Sequence, residues 1–149
     1  MTAERGVLID TNVISELVRE APNAVVMKWI AQQAPDSVYL STVTLGELVH
    51  GIARLAEGAR RDHLQTWLQV DVKNEFAGRL LAFGEREAVA WGYMKASTEK
   101  QGRPRGAIDL QLAATAQVAG LKFATRNVRD FEGLTLSLIN PWSEHATSA

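Results

Sequence analysis

Short apolar runs alternate with longer amphipathic stretches along this 149-residue chain. Gly6-Val7-Leu8-Ile9 is continuously apolar and too short for a helix, which predicts a buried strand ending at Asp10. Thr11-Asn12 predicts a polar turn into a helix over VISELVRE, and Pro22-Asn23 punctuates it. Val25, Val26, Trp29 and Ile30 recur at helical spacing through residues 24–33. A second strand is expected at Val38–Ser41. A helix over residues 42–56 follows, with Leu45, Leu48, Val49, Ile52 and Ala53 as its apolar positions and Gly58 as its terminator. Leu64, Trp67 and Leu68 mark an amphipathic helix over residues 60–70, while residues 72–84 admit either more helix or a short strand at 80–83. A helix over 85–99 leads into a Gly- and Pro-rich loop at 101–106. Ala107–Ala119 is a strong helical stretch with Gly120 as its C-cap. A strand at 121–125, turns at 126–127 and 130–133, and a last strand at 134–139 complete the chain.

Strands that alternate with helices specify an α/β three-layer sandwich, with a short, mainly parallel central sheet flanked by helices. The length suits one domain with one core. We expect it to span residues 1–142, with 143–149 as a short mobile tail. In sheets of this kind, sites form beyond the carboxyl ends of the strands. Asp10, Thr125 and Asn127 stand at such ends.

Composition narrows the chemistry. The chain has no cysteine, so disulfides, thiolate zinc sites and a cysteine nucleophile are excluded. Its three histidines, His50, His63 and His145, share no spacing that marks a metal or acid–base role. The formal net charge of −1 means that any nucleic-acid contact must come from a local patch. No apolar run approaches the roughly 18–20 residues of a membrane span. The N-terminal stretch lacks a signal peptide's long apolar segment, and a cytoplasmic location is the expectation.

The acids remain. Asp10 could be a helix N-cap after a strand or a functional acid where α/β enzymes place metal ligands. Glu47 and Asp109 lie near helix starts, where acids favour the dipole. Both have apolar neighbours, and a buried carboxylate without a partner is costly. Asp130 suits a turn. Taken together, the four occupy strand ends and helix starts that converge in this fold. Clustered like charges need compensation, which a divalent cation provides. An all-oxygen donor set favours Mg2+, with Mn2+ as the other hard candidate. That chemistry fits phosphodiester hydrolysis.

These stretches carry a resemblance. LIDTNVISEL (8–17), VTLGELVHGI (43–52), AIDLQLAATA (107–116), ATRNVRDFEGL (124–134) and INPW (139–142) occur in an order that resembles PIN-domain ribonucleases of the VapC/FitB type, the toxins of type II toxin–antitoxin pairs. The resemblance implies that Asp10, Glu47, Asp109 and Asp130 are catalytic and metal-binding. It sets Thr11, Asn12, Thr125 and Asn127 beside the site. It implies an Mg2+-dependent endoribonuclease in which a metal-activated water hydrolyses RNA, leaving 5′-phosphate and 3′-hydroxyl ends. It also implies partners: a cognate antitoxin whose tail crosses the site, a homodimer and a higher toxin–antitoxin assembly, with no membrane.

Other features divide the same way. Arg105 and Arg126, with Arg103 and Arg129, are either solvated loop charges or the phosphate contacts that the net charge lacks. Trp29, Trp67 and Trp91 fall on apolar helical faces, and Trp142 packs on the last strand, so core packing is the simpler reading of all four. A PIN nuclease of RNA processing without an antitoxin, and a non-catalytic binding module of the same fold, are the competing functions. The presence of all four acids speaks against the second. A phosphoryl-transfer enzyme using Asp10 as nucleophile would need a second Asp two residues on, where Asn12 stands.

Overall fold

A computed structural model describes residues 6–143; the mobile-tail expectation for 144–149, and His145, lie outside the described residues. Five strands form one parallel sheet in the order β3-β2-β1-β4-β5: β1 (Val7–Ile9), β2 (Val38–Ser41), β3 (Leu80–Leu81), β4 (Lys122–Ala124) and β5 (Leu138–Ile139). The helices are α1 (Thr11–Leu17), α2 (Ala24–Ala31), α3 (Thr42–Ala53), α4 (Ala59–Thr66), α5 (Lys73–Glu75), α6 (Glu85–Lys100) and α7 (Ala107–Ala119).

The three layers follow from the two-residue period of the strands. Val7, Ile9, Val38 and Leu40 point to one face, where Val13, Ile14, Trp29, Leu48, Ile52 and Leu64 cover them. Leu8 and Phe123 point to the other, against Leu110, Ala113, Ala114 and Met94 of α6 and α7. The alanines of α7 let it lie close to the sheet, and Gly120 ends it at φ +69.

β1 is the pivot of the sheet. The chain runs from it to β2 on one side, and β4 pairs on its other side in register Val7↔Lys122, Leu8↔Phe123, Ile9↔Ala124. That reversal opens a crevice at the carboxyl ends of β1 and β4, where α/β sheets bind ligands. Asp10 and Thr125 are the first residues past those two ends.

Several elements differ from the sequence-based expectation. Thr11 and Asn12 are the first helical residues rather than a turn, because the Asp10 side chain accepts the Thr11 N–H and starts α1 one residue after the strand. Gly58 does not end α3, which closes at Arg54. It precedes α4 with φ +152, a conformation open to glycine. The helix expected over 60–70 continues through a π-helical segment, Trp67–Val72, into α5, and the strand near 80–83 shrinks to two residues. The last strand is two residues rather than six: Gly133, at φ +86, turns the chain, and Leu134 and Leu136 pack on the core as irregular chain before Leu138 reaches β4. Ser143, assigned to the tail, donates its backbone N–H to the Asn140 carbonyl at 3.0 Å and closes the final turn.

Candidate active site

Asp10 is fixed from three sides. Its backbone N–H donates to the Ala124 carbonyl at 2.9 Å, extending the β1–β4 pairing past the strand. The Thr11 N–H donates to Oδ1 at 2.7 Å, and the fully buried Thr125 hydroxyl donates to Oδ2 at 2.7 Å. Asn12 Nδ2 approaches the same oxygen at 3.3 Å. The capping reading of Asp10 holds, since Oδ1 caps α1, and it leaves the functional reading open, since Oδ2 faces Thr125 and Asn12. Asp10 is only 6% exposed. Its pKa is raised from 3.8 to about 6, first by burial and to a lesser degree by the charges of Asp109 and Glu47, against the lowering pull of its hydrogen bonds.

Glu47 projects from α3 and is half-buried. Its Oε1 accepts the Thr11 hydroxyl, which also meets the buried Thr44 hydroxyl at 3.2 Å. Asp109 sits in the first turn of α7 with Gly106 behind it; a Cβ on Gly106 would stand 3.6 Å from Oδ2. Its pKa is also raised, first by burial, then by Asp130 and Glu47, with Arg105 opposing. Asp130 is exposed on a 3-10 turn, Val128–Phe131, anchored by the buried Phe131 ring 4.8 Å from that of Phe123. The four acids thus feel one another as a set: Asp10 with Asp109 and Glu47, and Asp109 with Glu47 and Asp130.

The secondary candidates separate. Thr11, Asn12 and Thr125 touch the acids directly. Asn127 supports Thr125 through its backbone N–H at 3.1 Å, and its side chain is exposed. Arg126 lies on the rim, its backbone N–H donating to Asn12 Oδ1 at 3.3 Å. Arg105 is half-buried rather than a free loop charge: Nη2 donates to the Glu132 carbonyl at 2.5 Å, tying the loop before α7 to the turn after Asp130. Trp29 is core, as expected, while Trp67 and Trp142 are half-buried and line a groove beside the site. His50 and His63 are exposed.

Sequence reasoning missed two members. Thr44, fully buried, completes the hydroxyl pair beneath Glu47. Glu16, 4% exposed, faces the groove with its pKa lowered, first by the Asn23 N–H at 2.7 Å and then by Arg19. Neither position carries a local signal, because both contacts join elements distant in the chain or depend on how the chain leaves α1.

The donor set fits a hard divalent cation. None of the four acids makes an ion pair among the described residues, and two of them have their charge disfavoured by burial and by one another. The described carboxylates do not close into a three-ligand cage. A hard ion that keeps several waters and binds through one or two carboxylates suits that openness.

Comparison with known proteins supplies the family. Residues 7–134 match the model of the PIN domain family. The VapC ribonuclease Y4jK of Sinorhizobium fredii is 38% identical over 136 residues, covering 91% of this chain and 97% of that protein. Toxin FitB of Neisseria gonorrhoeae is 36% identical over 138 residues, covering 93% of this chain and 99% of that one. The crystal structure of FitAcB from Neisseria gonorrhoeae superposes with a TM-score of 0.87 at 36% identity, covering 91% of this chain and 98% of that one.

Proposed function

This chain belongs to the PIN-domain family, and from that premise we propose that it is the toxin of a type II toxin–antitoxin pair, a metal-dependent ribonuclease acting through Asp10, Glu47, Asp109 and Asp130. The observation that carries the reading is Asp10: a buried carboxylate at the β1–β4 crevice, crowded by Asp109 and Glu47 and without a cationic partner among the described residues. Ribonucleases of this family depend on a metal ion, and the all-oxygen set favours Mg2+, with Mn2+ as substitute.

Asp10 and Asp109 are the residues to hold the ion, with Asp130 adding negative charge at the outer edge. When bound, such an ion lends positive charge to the scissile phosphate and lowers the pKa of a water. The protein's part is orientation. Thr11 N–H and the Thr125 hydroxyl hold the Asp10 carboxylate in one rotamer, so no reorganisation is needed when substrate arrives. Thr11 also ties Glu47 to the same turn through Oε1. Oε2 is left to accept the proton of the attacking water, a general-base role. The hydroxyls of Thr11, Thr44 and Thr125 make a neutral, polar floor that accommodates the acids without neutralising them.

The partners follow from the same premise: RNA as substrate, a cognate antitoxin as inhibitor, and a second copy of the chain. Among the described residues no helix is long and apolar enough to cross a membrane. The test is cleavage of single-stranded and structured RNAs by the wild-type chain and Asp10→Ala in Mg2+, in Mn2+ and in EDTA. Cleavage confined to the wild type with metal is the expected result; activity surviving EDTA or the substitution refutes the mechanism.

A further inference from the structure

Beside the acids lies a groove of about 460 Å3 that begins at Thr11, Asn12 and Glu47 and runs over Leu48, Ile52, Leu64 and Trp67. It falls within the roughly 300–1,000 Å3 of small-ligand sites. Its rim carries Arg19, Arg60 and Arg126, in a chain whose net charge is −1. Arg19 is paired with the buried Glu16 at 3.2 Å. Arg126 makes no close ion pair among the described residues, and the Glu16 charge reaches it only across the groove. The Arg126 guanidinium carbon lies 5.1 Å from the centroid of the Trp142 ring, over its face, and the group makes no hydrogen bond among the described residues.

The topology puts the two residues together. Arg126 follows the carboxyl end of β4 and Trp142 that of the neighbouring β5, with the Thr125 N–H donating to the Ile139 carbonyl at 2.9 Å between them. The backbone of Arg126 is held by Asn12, and Trp142 by its own N–H to Asn140 Oδ1 at 3.0 Å. A guanidinium laid on an indole keeps its planar fork of N–H donors at the edge, oriented in advance for a phosphate. The adjacent residue, Thr125, touches Asp10. A phosphate gripped here is therefore a neighbour of the one being cut.

We propose that Arg126, stacked on Trp142, grips a phosphate flanking the scissile bond, and that the adjoining apolar groove receives the base of an unpaired nucleotide. This rests on the nuclease reading above and adds to it a positioning residue for a phosphate beside the cut. A paired base has both faces stacked and its edge engaged, so it has no free surface to enter a groove, whereas a splayed base does. The arginine rim complements phosphate, and the apolar floor complements a base. Glu16 stays ionised in the groove, held by the Asn23 N–H and paired with Arg19, and its charge also attracts Arg126.

The test separates binding from cleavage. Asp10→Asn protein in Mg2+ is titrated into a fluorescent single-stranded RNA and into the matching duplex, and anisotropy is read over a salt series. Arg126→Ala added to this background should weaken single-strand binding about tenfold and lower the slope of log K against log salt by about one. Arg126→Lys should restore the slope but only part of the affinity, because it keeps the charge and loses the stacked fork. Trp142→Leu should weaken binding with an unchanged slope, its melting temperature reporting that the fold is kept. The duplex should bind more weakly than the single strand. In the otherwise wild-type chain, Arg126→Ala should raise KM more than it lowers kcat. Unchanged single-strand affinity and slope in Arg126→Ala, while the wild type still cleaves RNA, overturns the proposal alone. Loss of binding to a co-produced antitoxin without loss of RNA binding also overturns it. A wild type that neither binds nor cuts RNA overturns the nuclease reading and this proposal with it.

Discussion

Asp10 and Asp130 carry the same functional group at two ends of the candidate site, in opposite surroundings. Asp10 is buried, anchored by a backbone N–H and a threonine hydroxyl, and its charge is disfavoured. Asp130 is exposed on a short turn, with water available to it. Asp109 stands between them, half-buried and coupled to both sides of the cluster. The inner end is preorganised by its hydrogen bonds, yet burial makes its charge costly to keep; the outer end is solvated and loosely held. An ion that reaches the site relieves the inner end most. The comparison predicts that function concentrates at Asp10, and that Asp10 is also where the fold is least at ease without a cation.

The largest effects should come from the inner end. Asp10→Ala is expected to lower cleavage by about a thousandfold or more, as removal of a central catalytic group does. Its melting temperature without metal should hold or rise, because a crowded buried charge is lost. Asp130→Asn should cost only about tenfold and leave the melting temperature unchanged, given its exposure. Equal losses at the two positions would break the comparison.

Thr125→Val comes next. The fully buried hydroxyl donates to Asp10 Oδ2, so its removal leaves that oxygen without its closest side-chain donor. Activity should fall about 10–100-fold, as with other groups that orient metal ligands. Thr125→Ser, which keeps the hydroxyl, should retain most of it. Steady-state cleavage rates of the two variants decide the matter.

The pH dependence has a definite sign. The folded-state pKa of Asp10 is raised to about 6 from 3.8. Between those values the unfolded chain has released this proton and the folded chain has kept it. Stability therefore falls as pH rises through about 4 to 6 and stays lower above, by on the order of 3 kcal/mol for this group. Asp109, whose pKa is also raised, adds in the same direction. Added Mg2+ should accordingly raise the melting temperature more at pH 8, where Asp10 is ionised, than at pH 4.5, where it is protonated. A metal shift that is the same at both pH values would detach the cation from these carboxylates.

The inner end was also the more legible in the sequence. An apolar run ending in Asp10 gives a buried strand and an acid at its carboxyl end, and α/β topology then dictates a crevice there. Asp109 was legible for a similar reason, since an acid in the first turn of an Ala-rich helix has little solvent on its inner side. In the fold the charges of Asp10, Glu47, Asp109 and Asp130 reach one another pairwise, and the catalytic roles given to them are proposals. What escaped the sequence depends on contacts between remote elements. Thr44 meets Thr11 across 33 positions, and the Arg126–Trp142 stack requires β4 and β5 to be neighbours. The π-helical segment Trp67–Val72 departs from the 3.6-residue period with no Gly or Pro to announce it. The last strand was overestimated because Leu134 and Leu136 alternate like a strand yet pack on the core without pairing to β4.

The central claim, that these carboxylates are a cation site keyed on Asp10, is tested most directly by calorimetric titration of the wild-type chain and Asp10→Asn with Mg2+ or Mn2+, in buffers of different ionisation enthalpy at pH 6 and pH 8. The wild type should bind the ion and release about half a proton at pH 6, close to the Asp10 pKa, and almost none at pH 8. Asp10→Asn should bind much more weakly and release less at pH 6. Equal affinity in the two proteins, or no binding to the wild type, would contradict the account.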